Sequence, residues 1–140
     1  MTDRSRIVKS SLDVGQGRRV LVVDDDPLNR KLAELRLREA GFAVDTADTA
    51  ETALRMASNA APHAILSDIR MPGMNGFQFR QAVLHDARLA RIPVLLFSTD
   101  FADKKARRGE EVDRYCVVRS PDLREAIAAL VAALADALAD

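Results

Sequence analysis

From Val20 onward, short apolar runs alternate along this chain with longer stretches of helical period. The runs are Val20 to Val23, Ala43 to Thr46, Ala64 to Ser67, Val94 to Phe97 and Cys116 to Val118, the second being the least apolar. Their Val, Ile and Leu content suits strands buried on both faces of a sheet. Strands that alternate with helices predict repeated β-α units around a parallel sheet, an α/β domain.

The helical stretches carry their own punctuation. Asp26-Pro27 offers a cap followed by proline at the first helical position, Leu28, Leu32 and Leu35 form a stripe, and Gly41 is the stop. Asp48 and Glu51 have the spacing of a capping box ahead of Ala53, Leu54 and Ala57. Asn75-Gly76 opens a further helix containing Phe77, Val83 and Leu84. Ser120-Pro121 opens the last, in which Leu123, Ile127, Leu130, Val131, Leu134 and Leu138 keep a 3.6-residue period. Between these, Asp100 to Gly109 reads DFADKKARRG, so a helix there has few apolar anchors and is expected to be the most mobile element.

Composition narrows the function. A chain of 140 residues, 48% hydrophobic, suits one domain with a full core. Residues 1–18 mix charge, Ser and Gly without period and read as a flexible leader, leaving 19–140 as the domain. Lys plus Arg equal Asp plus Glu at 21 each, so no net positive field draws the protein to nucleic acid or anionic lipid. The single cysteine, Cys116, forms no internal disulfide and suits a reducing compartment. No apolar run is long enough to span a membrane, and the N-terminus lacks a signal peptide's apolar stretch, so a cytoplasmic location is expected.

Candidate chemistry collects where the strands end. An open parallel sheet binds ligands beyond the carboxyl ends of its strands. There the first strand runs into Asp24, Asp25 and Asp26, the third into Asp68, the fourth into Ser98 and Thr99, and the fifth into Arg119. Carboxylates crowded in a partly buried pocket repel unless a hard cation sits among them, and Mg²⁺ is the natural candidate. Asp68 then suits a nucleophile in phosphoryl transfer, with Arg119 and Ser98 compensating charge on the transferred oxygens. Asp26 before Pro27 reads as a helix cap. His63 and His85 read as surface residues, and Cys116 as a small buried strand residue. Met71 to Met74 shape the loop after Asp68, with Gly73 relaxing its backbone.

Four segments carry a family resemblance. VLVVDDDP, AILSDIRMPGMNG, IPVLLFST and YCVVRSPDL together resemble the receiver domain family of two-component response regulators, over about Arg19 to Leu138. The resemblance implies a flavodoxin-like fold, a doubly wound five-stranded parallel sheet with five helices. It further implies Mg²⁺-dependent transfer of a phosphoryl group from a phosphohistidine, on a sensor histidine kinase or a histidine phosphotransfer protein, to Asp68. Asp25 and Asp68 become direct metal ligands, Asp24 a ligand through water, and the backbone carbonyl of Arg70 a third direct protein ligand. Ser98 takes the switch hydroxyl position and Arg119 the lysine position. A downstream protein target is implied as well, and the long last helix permits a homodimer.

Two departures from the family pattern stand out. Arg119-Ser120 replaces Lys-Pro, which alters the cation and moves the proline to Pro121; and Cys116 falls at the switch aromatic, with Tyr115 one residue away and so on the opposite strand face. These leave open an alternative, a pseudo-receiver that binds partners without phosphorylation. An aspartate-nucleophile phosphatase is a third reading, disfavoured because its nucleophile belongs on the first strand. Arg70 and Asp100, each two residues past a site residue, are placed to pair across the pocket mouth.

Overall fold

The computed structural model describes residues 14–98, 116–118 and 123–139. Among the described residues nine elements follow in order: β1 Arg19–Val23, α1 Pro27–Glu39, β2 Ala43–Ala47, α2 Ala50–Asn59, β3 Ala64–Asp68, α3 Gly76–His85, β4 Val94–Ser98, β5 Cys116–Val118 and α4 Arg124–Ala139. The five strands pair in parallel in the order β2-β1-β3-β4-β5. This is the flavodoxin-like doubly wound order. The chain moves outward from β1 to β2, then crosses back to β3 on the other side, so the strand order reverses between β1 and β3. The helix expected over Asp100 to Gly109 lies outside the described residues, as does the Ser120-Pro121 start of the last helix.

The strand pattern explains the layers. β3 is buried along its whole length, and Val94 to Phe97 of β4 are buried too, as central strands covered on both faces should be. β2 is an edge strand with only Val44 and Ala47 buried, which is why its apolar signal is thin. One core packs α2 and α3 on one face through Leu21, Val23, Ala53, Ala57, Ile65, Phe79, Val83 and Leu96. The other packs α1 and α4 through Val20, Val22, Ala33, Leu37, Leu66, Phe97, Leu123, Ala126, Leu130 and Leu134.

Two helix expectations require correction. In α1 the buried line is Ala33 and Leu37, whereas Leu28 is 75% exposed and Leu35 46%. At 3.6 residues per turn, Leu28 lies about 180° and Leu35 about 160° from Leu37. Small Ala33 lets the helix approach the sheet, and Leu37 reaches the Phe42 and Val44 side of the same core. In α2 the cap is Thr49, not Asp48: its hydroxyl accepts from the Thr52 amide at 3.1 Å, from an extended backbone. Starting one residue later places Ala50, Ala53 and Ala57 on the sheet. Asp26 caps α1 as expected, accepting from the Leu28 amide at 3.0 Å, and Asn75 with Gln78 forms a reciprocal capping box on α3. His63 is exposed but not idle, since its Nδ1 accepts the Arg19 amide at 2.9 Å where the sheet begins.

Candidate functional site

The site lies at the carboxyl end of the sheet, where β1 and β3 sit side by side with Val23 paired to Ser67. Ligands of such sheets bind in this crevice because the connections from the two strands leave in opposite directions and open a gap there. β1 ends at Val23, so the next two residues, Asp24 and Asp25, enter the gap from one side. Asp68, the last residue of β3, enters from the other.

Each carboxylate is held by local structure. Asp24 is fully buried: its amide donates to the Ala47 carbonyl at 3.1 Å, its Oδ1 accepts the Asp26 amide at 3.0 Å, and its carbonyl accepts Arg30 Nη1 at 2.8 Å. Asp68 is 6% exposed; its Oδ1 accepts the Ile69 amide at 2.9 Å, and its carbonyl accepts the Ser67 hydroxyl at 2.9 Å. Asp25 is exposed and closes the group on the solvent side. One oxygen from each of Asp24, Asp25 and Asp68 lies within 4.8 Å of the others.

Three carboxylates this close form a strongly anionic pocket. At an effective dielectric of about 20, each ionised pair separated by that distance repels by roughly 3 kcal/mol. The two backbone amides and the Arg30 guanidinium supply some positive potential, but an all-oxygen donor set of this charge matches a hard divalent cation. The residues present therefore fit such an ion.

Ser98 ends β4, one residue past Phe97, which pairs with Asp68. Its neighbour across the sheet is Val118, the last residue of β5. Arg70 is exposed in the loop that follows Asp68, at the same end of the sheet. Arg119, Tyr115 and Asp100 lie outside the described residues. The structure thus brings together Asp24, Asp25 and Asp68, and sets Arg70 and the Ser98 backbone at the same edge.

Two supporting residues escaped the sequence reading. Arg30 clamps the turn between β1 and α1 through the Asp24 carbonyl; its spacing from Asp26 hints at nothing beyond helix membership. Gly76 allows α3 to start against the end of β3, and its signal was visible only as an Asn-Gly helix start.

With the fold and the acidic crevice in place, the class of protein follows. Residues 20–131 match the response regulator receiver domain family, so this chain belongs to that family, a module of two-component signalling. Among its relatives, the response regulator PleD of Caulobacter vibrioides is 41% identical over 80 residues, 57% of this chain and 18% of PleD. Protein PilH of Pseudomonas aeruginosa is 35% identical over 81 residues, 58% of this chain and 67% of PilH. This chain thus spans under a fifth of PleD and about two thirds of PilH. Among solved structures, the response regulator TrrA of Thermotoga maritima, in complex with Mg²⁺-BeF, superposes with a TM-score of 0.71 at 25% identity, covering 83% of this chain and 98% of that one. Among the described residues, no helix is long and apolar enough to cross a membrane.

Proposed function

We propose that this chain acts as a phosphorylation switch of the cytoplasm, with Asp68 as the phosphoacceptor. The observation that carries the reading is the convergence of Asp24, Asp25 and Asp68 within 4.8 Å at the β1/β3 crevice. The phosphoryl donor is a phosphohistidine on a sensor histidine kinase or a histidine phosphotransfer protein. A carboxylate oxygen of Asp68 attacks phosphorus, the P–N bond to the donor imidazole breaks, and an aspartyl phosphate forms. Bound Mg²⁺ supplies the positive charge that lets the Asp68 carboxylate and a phosphoryl group approach one another.

The chain's own residues carry the rest. Asp25, Asp68 and the Arg70 backbone carbonyl would hold the cation directly, and Asp24 through a water molecule. The Asp24 carboxylate is oriented by the Asp26 amide. The Ile69 amide holds the Asp68 carboxylate through Oδ1. Ser98 and Arg119 contact the transferred oxygens, and their rearrangement changes affinity for a downstream protein target. The role is that of a signalling module, not of an enzyme.

The experiment is incubation with acetyl phosphate in the presence and absence of Mg²⁺, read by intact mass, on the wild type and on Asp68→Asn. A metal-dependent phosphoryl adduct on the wild type alone is the expected result. An adduct that survives Asp68→Asn overturns the assignment of the acceptor. No adduct from either acetyl phosphate or a phosphohistidine donor overturns the switch.

A further inference from the structure

An apolar groove on the outer side of α4 has the chain's own entry point as one wall. Val14, 40% exposed, lines it together with Arg124, Ile127, Ala128 and Val131, around a volume of about 580 Å³. Ile127 and Val131 are only partly covered, being packed on the core from its rim. This is apolar surface on a helix whose inner face is already satisfied by Leu123, Ala126, Leu130 and Leu134.

The entry point is fixed by the fold. The Gly15 amide donates to the Ala40 carbonyl and the Gly17 amide to the Gly41 carbonyl, both at 2.8 Å, and the Arg18 amide returns to the Gly15 carbonyl at 3.0 Å. Gly15 lies so close to Phe42 that a Cβ there would stand 2.6 Å from the ring. Residues upstream of Val14 therefore begin at a defined point on the rim of the groove.

We propose that residues 1–13 dock in this groove, seating Ile7 and Val8 against Ile127 and Val131. The segment reads MTDRSRIVKSSLD, with Ile7-Val8 flanked by Arg6 and Lys9. Reach is sufficient. Ile7 is seven chain steps from Val14, a contour of up to roughly 25 Å, while the stretch from Arg124 to Val131 rises only about 10 Å along the helix. A tethered segment acts at an effective concentration on the order of millimolar, which a second copy of the chain at micromolar concentration does not match. Docked in this way, the segment covers the outward face of α4, and any protein that binds there must displace it.

The test uses the full chain with labelled Ile, Leu and Val methyl groups. Nuclear Overhauser contacts from Ile7 and Val8 to Ile127 and Val131 are expected within one molecule. In the double variant Ile7→Asp/Val8→Asp these contacts vanish and the Ile127 and Val131 methyl resonances shift, while those of the core residues Leu66 and Leu95 stay in place as a control on folding. Absence of the contacts in the wild type overturns the proposal. Contacts found only between differently labelled chains also overturn it and assign the groove to a second copy.

Discussion

Gly76 rests against the Asp68 carbonyl so closely that a Cβ added to it would stand 2.5 Å from that oxygen and 2.8 Å from the Ile69 Cα. The Gly76 amide donates to the Ile69 carbonyl at 2.8 Å, so the loop after Asp68 closes directly onto the first turn of α3. Backbone stands on both sides of this contact, and no flexible side chain is there to yield. Gly76→Ala is expected to destabilise the fold by about 1–3 kcal/mol through overpacking. It is also expected to slow the proposed phosphorylation of Asp68 by acetyl phosphate, because the strain enters at the Asp68 backbone. Urea unfolding followed by circular dichroism, and a mass time course, check the two effects separately.

Like charge at the β1/β3 crevice is expected to make stability depend on a bound cation. A ligand that binds only the folded state adds about 2.7 kcal/mol at one hundred times its dissociation constant. Mg²⁺ is therefore expected to raise the melting temperature, chelation to reverse the rise, and Asp25→Ala to abolish most of it. Without cation, Asp68→Asn is expected to melt above the wild type, since one of three crowded charges is gone. Thermal scans of the three proteins with and without Mg²⁺ read these effects, and a Mg²⁺ response that is intact in Asp25→Ala would place the ion elsewhere.

The α1 helix offers a contrast between two leucines of the same helix. Leu37 is fully buried and Leu28 is 75% exposed. Leu37→Ala is expected to cost 2–5 kcal/mol, the range of a cavity in a packed core, and Leu28→Ser less than about 0.5 kcal/mol. Chemical denaturation of both variants measures the difference directly.

The turn after α3 has its own pH signature. Arg88 donates from its side chain and its amide to Asp86, which holds that carboxyl below the usual carboxylate range and raises the guanidinium in turn. A carboxyl depressed on folding contributes stability above its unfolded value and loses it as pH falls through the folded one. Asp86→Asn is thus expected to be slightly less stable than the wild type at neutral pH, with the gap closing as the pH falls below the usual carboxylate range. Both groups face solvent, so added salt is expected to narrow the gap as well.

The order of elements was legible in the residues because burial on both faces leaves a continuous apolar run, and β1, β3 and β4 carry such runs. So was the triad of acids, because Asp24 and Asp25 directly follow β1 and Asp68 closes β3, and any parallel arrangement of these strands sends them to one end of the sheet. Asp26 and Asn75 were readable as caps, since capping is settled within three or four residues of sequence. What a local pattern leaves undetermined is which way an element turns toward its neighbours. Leu28, Leu32 and Leu35 form as good a stripe as Ala33 and Leu37 until a sheet lies on one side, and the sheet selects the line on which a small residue permits close approach. Thr49 displaced Asp48 as a cap for the same reason, because Ala50, Ala53 and Ala57 had to meet β1 and β2. Arg30 on the Asp24 carbonyl, Gly76 on that of Asp68 and Gly15 beneath Phe42 are contacts between segments remote in pattern, if not always in sequence. The chain alone determined the kind of fold and the acidic residues at its mouth, because periodicity and strand ends are local properties; the tertiary structure decided helix rotation and close approach, because those depend on the shape of what lies opposite.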